Sequence, residues 1–398
     1  MKLFFFTQYF WPENFRINEL VKYFSKNKLF VLTSNPSYPS KGLFTNNKYK
    51  RKKLQLGNFE IIRVPVFLRN GSNLSIFLNY ISFFFSSLLT GIFKIYKKKF
   101  DIIFVFCPSP ILNAIPAIIF KKLFKKKIVL WVLDLWPDTV IDLKIVRSNY
   151  LIWFLRKLVN YIYNNSDLIL AQSKSIKNEI KKSTKTKCIY FPSWPEEFKK
   201  NKKNKAKDVI STNKLKILFA GNIGEAQSFE TLIKCAKSMR YLNNVRWIIV
   251  GDGRWKKKLI YYIKINNLEN QFQLINNVPL KKIDHFYNCA DALYLSLKNN
   301  NTFRKTIPGK LQTYMSTGKP IIASISGEAK KIIIDSQCGY VSDAEDYKTL
   351  KKNIIKFSKL KKYKKLILGK NGKKYSDKYF SKKQILKGLE KEIKLILS

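Results

Sequence analysis

The sequence predicts an α/β protein with two doubly wound, Rossmann-like domains that face a central cleft. Apolar runs of strand length alternate with helical patterns along the chain, which is typical of βαβ units. The strand runs are almost continuously hydrophobic, as expected for parallel sheets covered on both faces. The alternation breaks at the polar, lysine-rich residues 196–214 and then restarts. A chain of 398 residues is also longer than one core usually supports.

The predicted strands follow in order along the two halves. The first half contains the runs KLFFFTQYF, KLFVLTSNP, EIIRVPVFL, DIIFVFCPS, KIVLWVLDLW, DLILAQS and KCIYFP. The second half contains LKILFAGN, VRWIIVGDG, FQLINNVP, ALYLSL, PIIASI and CGYVSD, with helical patterns between them. The first run is interpreted as a strand rather than a signal peptide, because no small-residue cleavage site follows it.

The break divides the chain into three predicted segments. Residues 1–198 form an N-terminal Rossmann-like domain, and residues 199–375 form a second one. Residues 376–398 form a C-terminal helix, for which both packing on the second domain and a return to the first remain open. Because ligands of such sheets bind beyond the carboxyl ends of the strands, functional residues are expected in the strand-exit loops.

Charge and cysteine content indicate partners and compartment. The chain carries 76 Lys and Arg against 26 Asp and Glu, a formal net charge of +50. This charge favours a polyanion such as nucleic acid, an anionic membrane surface or a phosphorylated substrate. Codon bias in an AT-rich genome would produce the same lysine excess, and both interpretations remain open. Five scattered cysteines without disulfide or zinc spacing fit a reducing cytoplasm.

Residues 74–96, LSIFLNYISFFFSSLLTGIFKIY, are long and apolar enough to cross a membrane. Asn79 and several serines interrupt the segment, so a helix in the membrane interface or buried in a domain is preferred over a span. In the interfacial arrangement, Lys94 and Lys97 to Lys99 would lie at lipid phosphates.

Two glycine-containing turns in the second half predict a phosphate site. FAGNIGEAQSF reads as a strand, a turn with Gly221 and Gly224, and a helix. VGDGRWKKKL repeats this arrangement with Gly253 and Arg254. Glycines allow close backbone approach, and a helix N-terminus favours an anion. A tight βα turn also needs glycine for steric reasons alone, so this signal is weak by itself.

The stretch KTIPGKLQTYMSTGKPIIAS adds a lysine to the same set. Lys310 follows Pro308 and Gly309 where a helix is predicted to start, so its ammonium and the first helical amides would converge on one anion. Glu328 opens the next helix. It either stabilises that helix dipole or accepts hydrogen bonds from sugar or ribose hydroxyls.

Two strand exits in the first half carry candidate acceptor-binding residues. WPENFRINEL contains Glu13, Asn14 and Arg16, of which Arg16 could contact a phosphate and Asn14 could instead cap the helix. LDLWPDTV contains Asp134, a candidate to orient an acceptor hydroxyl or cap a turn. Trp136 in the same stretch could stack on a sugar ring or simply pack.

Taken in order, these stretches resemble glycosyltransferase family 4, a family with the two-domain GT-B fold. The second half contributes FAGNIGEAQ, VGDGRWKKKL, IPGKLQTYMSTGKPIIAS and SGEAKKII. The first half, with QYFWPENFRINELVKYF, VLTSNPSYPSKGLF, VLDLWPDTV, LILAQSKSI and FPSWPEEF, is similar to WbuB-type N-acetylfucosamine transferases of bacterial surface polysaccharide assembly. The resemblance runs from residue 1 to about residue 350, and several ordered motifs are more specific than one glycine turn.

This resemblance implies transfer of a sugar, such as an N-acetylated deoxyhexosamine, from a nucleoside diphosphate donor with retained anomeric configuration. The donor would bind the second half, and an acceptor carried on polyprenyl diphosphate would bind the first. The expected setting is O-antigen, capsule or exopolysaccharide assembly, with the enzyme cytoplasmic and peripheral on the inner face of the bacterial cytoplasmic membrane.

The chain departs from the family pattern at four positions. Many members have an Arg and a Lys after the first strand of the second half, where this chain has Asn222 and Gln227. The paired glutamates of the family correspond to Lys305 and Thr313. Other cations must then neutralise the leaving diphosphate, and another polar group must recognise the ribose.

The motifs and the resemblance together predict these site residues. The predicted donor-binding residues are Gly221, Asn222, Gly224, Gln227, Gly253, Arg254, Arg304, Gly309, Lys310, Gln312 and Glu328. The predicted acceptor-binding residues are Glu13, Asn14, Arg16 and Trp136, and the predicted catalytic residues are Asp134, Lys310 and Glu328. No Asp-x-Asp pair is present, so neither a metal nor another cofactor is expected, and front-face substitution is the expected mechanism.

Two other functions are compatible with parts of the sequence. A nucleotide-sugar epimerase would use the same fold and would act on the donor alone. A basic nucleic-acid-binding protein would explain the charge, but no known binding motif is present, so nucleic acid is not an expected partner. A Ser-His-Asp hydrolase is excluded because the first half has no histidine.

Overall fold

The computed structural model describes residues 1–38, 59–70, 72–198, 212–242 and 244–398. The chain divides into two compact units. Unit 1 comprises Met1–Pro192 and Lys383–Ser398, and unit 2 comprises Ser193–Lys382. The boundaries therefore fall before residues 193 and 383, whereas the sequence placed them before residues 199 and 376. The last helix groups with unit 1, which is one of the two arrangements left open above.

Unit 1 contains a seven-stranded parallel sheet. Its strands are β1 (Lys2–Thr7), β2 (Lys28–Ser34), β3 (Glu60–Val64), β4 (Ile102–Cys107), β5 (Lys127–Val132), β6 (Leu168–Ala171) and β7 (Cys188–Tyr190). They lie in the order β3-β2-β1-β4-β5-β6-β7. In the register of the sheet, Phe5 lies between Val31 and Phe104. All three side chains are buried, as continuous hydrophobic strands require.

Helices surround this sheet and complete its core. They are α1 (Arg16–Tyr23), α2 (Asn73–Ile95), α3 (Ile115–Phe124), α4 (Asp138–Asp142), α5 (Asn149–Asn164) and α6 (Lys174–Ser183), with a 3₁₀ turn at Ile111–Ala114. The core is rich in phenylalanine, and the rings of Phe4 and Phe30 stack with centroids 4.7 Å apart. Aromatic pairs of this kind add to the stability that burial alone provides.

Helix α2 is the apolar segment singled out in the sequence. The side chain of Ser72 accepts a hydrogen bond from the Ser75 amide and caps the N-terminus of the helix. The window Leu74–Ile95 has a mean hydropathy of 1.7 and is long enough to cross a membrane, and 22% of it is buried. Most of this apolar window therefore lies on the surface of unit 1.

Unit 2 contains a six-stranded parallel sheet. Its strands are β8 (Leu215–Ala220), β9 (Val245–Val250), β10 (Phe272–Ile275), β11 (Ala292–Ser296), β12 (Ile321–Ser324) and β13 (Gly339–Ser342). They lie in the order β10-β9-β8-β11-β12-β13. The doubly wound α/β class predicted from the sequence is thus confirmed in each unit.

Eight helices of unit 2 and the last helix of the chain complete the part that the structure describes. They are α7 (Phe229–Ser238), α8 (Lys256–Ile265), α9 (Leu280–Cys289), α10 (Asn301–Lys305), α11 (Gly309–Ser316), α12 (Glu328–Ser336), α13 (Tyr347–Ser358), α14 (Lys362–Tyr379) and α15 (Lys382–Leu397), with a 3₁₀ turn at Glu225–Gln227. Helix α14 packs on α11.

The strand orders fix where ligands can bind. In unit 1 the strands β2 and β3 are added on one side of β1, and the strand order then reverses, with β4 on the other side of β1. In unit 2 the strand order reverses in the same way between β8 and β11. At such a reversal the two connecting loops turn away from each other and leave a crevice at the carboxyl ends of the strands. The exits of β1, β4, β8 and β11 are therefore the places to look for a site.

Candidate active site

The exit of β8 brings its first glycine against Lys310. Gly221 has a φ of +137°, a backbone conformation that residues other than glycine rarely adopt. Its amide donates to the Val250 carbonyl at 2.9 Å. A Cβ at this position would lie 2.6 Å from Cε of Lys310, so only glycine leaves room for the lysine.

Lys310 reaches the turn after β8 from the first turn of α11. Its ammonium Nζ donates to Oε1 of Gln227 at 2.9 Å and lies 4.1 Å from the centroid of the Phe219 ring. The residue keeps some exposure, but protein surrounds the ammonium, and this burial lowers the pKa of Lys310 to about 7. No carboxylate of the described residues forms an ion pair with it. The ring and the amide are its neutral partners.

The exits of β8 and β11 are tied together beside Lys310. The Ser296 hydroxyl, at the end of β11, donates to the Gln227 carbonyl. The Lys298 amide donates to the Ala226 carbonyl at 2.9 Å, and its ammonium bonds Glu225 at 2.7 Å. Gln227 is therefore held in place from both strands on the two sides of the reversal.

The exit of β9 forms a second cluster of predicted residues. Gly253 has a φ of +158°, and a Cβ there would lie 2.6 Å from Oδ1 of Asn222. A Cβ at Gly224 would lie 2.7 Å from Nδ2 of the same asparagine. The Asn222 amide thus occupies the space that these two glycines leave. Arg254 is exposed, and no described residue pairs with it.

The start of α11 is open on one side and braced on the other. Nothing lies within 4 Å of where a Cβ at Gly309 would be. Pro308 precedes the helix, and its side chain cannot cap the first amides. Gln312 is buried, and with its amide nitrogen toward the helix start it donates to the carbonyls of Pro308 at 2.9 Å and Gly309 at 3.2 Å. Gln312 therefore braces the backbone of this turn.

Arg304 and Glu328 lie at a neighbouring edge of unit 2. Nε of Arg304 donates to Oδ1 of Asn299 at 2.9 Å, and the side chain is exposed. Gly327 has a φ of +75°, and a Cβ there would lie 1.9 Å from the Arg304 carbonyl oxygen. This close approach places the end of α10 against the start of α12, where Glu328 is the first residue.

In unit 1, Glu13 is engaged by the backbone. Its Oε1 accepts from the amides of Ser37 at 2.9 Å and Tyr38 at 2.7 Å, and Oε2 accepts from Phe10 at 3.3 Å. Burial outweighs these bonds and raises the pKa of Glu13 to about 6. The carboxylate therefore fixes the loop after β2.

The other two predicted residues of this exit are Asn14 and Arg16. Asn14 is exposed and does not cap α1, because the N-cap position is taken by Phe15, which makes no side-chain cap. Arg16 pairs with Glu19 at 2.7 Å, one turn along the same helix. The structure thus gives Arg16 a counter-charge within the protein.

At the exit of β5, burial raises the pKa of Asp134 to about 7. Trp136 packs against the core of unit 1, and its indole N–H has no partner in the described part of the chain. It lines a cavity of about 250 Å³ together with Asp138 and Arg156, which pair at 2.9 Å. This packing favours the structural alternative for Trp136.

Comparison with known proteins identifies the second half of the chain. Residues 200–375 match the family model described as Glycosyl transferases group 1. This segment is a glycosyl transferases group 1 domain. It contains Gly221, Gln227 and Lys310, so the cluster described above lies inside the matched domain.

Relatives found by sequence comparison agree with this. The chain is 24% identical to the uncharacterized glycosyltransferase MJ1069 of Methanocaldococcus jannaschii, over 98% of this chain and 97% of that protein. It is 25% identical to MJ1178 of the same organism over 58% of this chain, a match that spans 60% of that protein's length. The group 1 domain and these relatives support the prediction that the chain is a transferase enzyme of the glycosyltransferase type.

Among solved structures, Anabaena HepE in complex with UDP is similar to the chain. The TM-score is 0.72 at 14% sequence identity, over 99% of this chain and 100% of HepE. At this identity the likeness shows the fold, and the GT-B class predicted from the sequence is confirmed.

The structure therefore brings some predicted residues together. In the group 1 domain, Lys310 contacts both Gly221 and Gln227, and Asn222, Gly224 and Gly253 form an adjoining set. Sequence reasoning missed two residues that support them, Phe219 below the ammonium and Ser296 behind Gln227. A serine ending a buried strand was a usable signal for Ser296, but a phenylalanine inside a strand gave none for Phe219.

Proposed function

We propose that the chain transfers a sugar from a nucleoside diphosphate donor, bound by the group 1 domain, to a lipid-linked acceptor bound by unit 1. Anomeric configuration is retained, and no metal is required. The acceptor sugar belongs to a bacterial surface polysaccharide such as O-antigen or capsule, and the donor sugar is of the N-acetylated deoxyhexosamine class. The resemblance to WbuB-type transferases supports this choice of sugar and pathway.

One observation carries the donor site. The ammonium of Lys310 lies at the reversal of the unit 2 sheet, and no carboxylate of the described residues neutralises it. A buried cation without a counter-charge is costly, and a bound diphosphate would supply that charge. HepE, which shares the fold, was solved with UDP, and this supports a nucleoside diphosphate as the ligand.

The same observation accounts for a missing family residue. Gln227 stands where many family 4 members have a lysine, and the Lys310 ammonium lies within hydrogen-bond distance of the Gln227 amide oxygen. The positive charge is thus delivered to nearly the same place from a different helix. The protein's own cation can stabilise the leaving diphosphate, which is why no metal is proposed.

The proposed chemistry is front-face substitution. The acceptor hydroxyl oxygen forms a bond to the anomeric carbon while the bond from that carbon to the diphosphate oxygen breaks. The departing phosphate oxygen accepts the hydroxyl proton, so the products are the glycoside and the nucleoside diphosphate. Lys310 and the first amides of α11 stabilise the charge that develops on the diphosphate. Asp134 is proposed to orient the acceptor hydroxyl.

We also propose that unit 1 docks peripherally on the cytoplasmic face of the membrane. We define the apolar face of α2 by exposed side chains spaced three or four residues apart: Leu74, Phe77, Ile81, Phe85, Leu89 and Phe93. Phe93 is 80% exposed, and an exposed apolar patch of this kind is typical of a surface that contacts a membrane or another protein. Lys94 and Lys97 to Lys99 follow at the end of the helix and suit anionic lipid headgroups.

The donor is tested first by thermal shift with UDP-, GDP- and TDP-sugars, because a ligand that binds the folded state raises its melting temperature. The stabilising donor is then incubated with the enzyme and a polyprenyl-diphosphate-linked saccharide. Formation of glycosylated acceptor and nucleoside diphosphate is expected. Conversion of the donor without acceptor would indicate an epimerase, and absence of any donor-induced shift would contradict the proposal.

A further inference from the structure

Arg69 is a buried cation at the carboxyl-end edge of the unit 1 sheet. Arg69 follows β3, and only 6% of the residue is exposed to solvent. Nε donates to Oδ1 of Asn79 at 3.0 Å, and an Nη2 hydrogen is donated to the Tyr9 hydroxyl. The guanidinium carbon lies 5.0 to 5.5 Å from the ring centroids of Tyr9, Tyr38 and Tyr80. Neutral groups thus surround the charge on several sides.

No carboxylate of the described residues pairs with Arg69. Residues 39–58, which lie outside the described part, contain no Asp or Glu in their sequence, so that segment offers none either. Two other arginines of unit 1 form ion pairs, Arg16 with Glu19 and Arg156 with Asp138. Burial of an unpaired charge is costly, and the ring contacts offset only part of that cost.

Arg69 is connected to the reversal of the unit 1 sheet by side-chain hydrogen bonds. Its partner Asn79 also accepts from Nε2 of Gln8 at 2.8 Å, and Oε1 of Gln8 accepts from Asn113 at 2.8 Å. Gln8 follows β1 and Asn113 follows β4, the two strands between which the chain reverses. The arginine is therefore held by the network that crosses the place where this type of sheet binds ligands.

We propose that Arg69 binds a phosphate or diphosphate group carried by the acceptor substrate, an assignment that rests on the proposed transferase function. Two of its five N–H groups are used by Asn79 and Tyr9, and the described residues take up none of the remaining three. The planar fork of a guanidinium matches two phosphate oxygens at once, which an ammonium cannot do. The sequence suggested a phosphate contact for Arg16, which has a carboxylate partner in Glu19.

Inorganic pyrophosphate is the first probe, titrated calorimetrically into the full-length chain. The Lys310→Gln variant serves as the background, so that binding at the group 1 domain is weakened in every sample. Adding Arg69→Gln is expected to reduce the remaining affinity about tenfold or more, the loss typical of a charge-assisted contact. Arg147→Gln removes an exposed charge from the same unit and is expected to leave the affinity unchanged.

Arg69→Lys keeps the buried charge, so it carries the test even if Arg69→Gln fails to fold. It is expected to bind pyrophosphate more weakly than the parent, because the fork is lost. Unchanged affinity in the folded Arg69 variants would overturn the proposal. Geranyl diphosphate and phosphatidylglycerol vesicles separate the sources of phosphate: Arg69-dependent binding of geranyl diphosphate supports an acceptor group, whereas dependence with vesicles alone would overturn it.

The failure of this proposal can be told apart from failure of the proposed function. Donor-induced thermal shift depends on the group 1 domain and is expected to survive in Arg69→Lys. If the parent protein transfers the sugar to the acceptor, Arg69→Lys should raise the KM for the acceptor and leave the KM for the donor unchanged. An unaltered acceptor KM would refute the role of Arg69 while leaving the transferase assignment intact.

Discussion

The ammonium of Lys310 lies 2.9 Å from the amide oxygen of Gln227, two residues 83 positions apart in the chain. Gln227 belongs to the turn after β8, and Lys310 to the first turn of α11. This contact places a positive charge beside a position where the resemblance to family 4 predicts a lysine. The effect of the positive charge can therefore be separated by mutation from the effect of its place at residue 310.

Lys310→Gln is expected to weaken donor binding about 10- to 100-fold, the range for a lost charge-assisted contact. The double variant Gln227→Lys with Lys310→Gln moves the lysine to the turn and should recover part of that affinity. Isothermal titration with the stabilising nucleotide sugar measures both. Lys356→Gln is the matched control, since Lys356 also lies over a ring, that of Tyr340, away from the turn. Full affinity in Lys310→Gln would contradict the donor site.

The pH dependence of donor binding follows from the same lysine. Burial lowers the pKa of Lys310 to about 7, so the free enzyme loses this charge as the pH rises through 7. Bound diphosphate favours the charged form and raises that pKa, so binding takes up a proton. Donor affinity should therefore fall between pH 7 and pH 9. Calorimetry in two buffers of different ionisation enthalpy measures the uptake, which Lys310→Gln should abolish.

Gly221→Ala tests the space occupied by Lys310. The added Cβ would lie 2.6 Å from Cε of the lysine, and the φ of +137° is itself unfavourable for alanine. We expect a loss of about 1 to 3 kcal/mol of stability from the backbone conformation and a weakened donor affinity as the lysine is displaced. Gly388→Ala, in a helix with open space around the site, should be neutral or stabilising. Thermal melts and donor titrations compare the two, and equal behaviour would contradict the steric argument.

The sequence predicted the positions of the glycine turns and of Lys310 because strand exits are local features. Strand, glycine and helix follow one another within about ten residues, and parallel strands bring their exits to one edge. Contacts between distant turns depend on side-chain conformations that no local pattern encodes. The placement of the Lys310 ammonium over the Phe219 ring is an example.

The first half was harder to predict for a related reason. Glu13, Arg16 and Trp136 have the residue types expected of a binding site, but the structure engages them with backbone amides, Glu19 and the core. Arg69 was not singled out, because its burial and its lack of a counter-charge emerge only when β3, α2 and the loop after β1 pack together. A charged residue type does not reveal whether the fold already neutralises it.

Asp134 gives a second pH dependence with the opposite sign. Burial raises the pKa of its carboxyl to about 7, so the carboxylate that would accept a hydrogen bond from the acceptor hydroxyl is lost as the pH falls through 7. We expect kcat/KM for the acceptor, measured at saturating donor, to decline on the acid side. Asp134→Asn should be slower and lack this acid limb. A wild-type profile that is flat from pH 6 to pH 8 would contradict the role.

The apolar face of α2 predicts binding to anionic vesicles. Phe85 and Phe93 are 56% and 80% exposed, and full burial of one phenylalanine is worth about 1.5 to 3 kcal/mol. Replacing both with Asp removes this burial and adds repulsion from anionic headgroups, so partitioning into phosphatidylglycerol vesicles should fall at least about tenfold in co-sedimentation. The control Tyr261→Asp with Ile334→Asp changes two exposed apolar residues of unit 2 by the same charge. If both pairs reduce binding equally, net charge rather than α2 governs it, and the docking face is wrong.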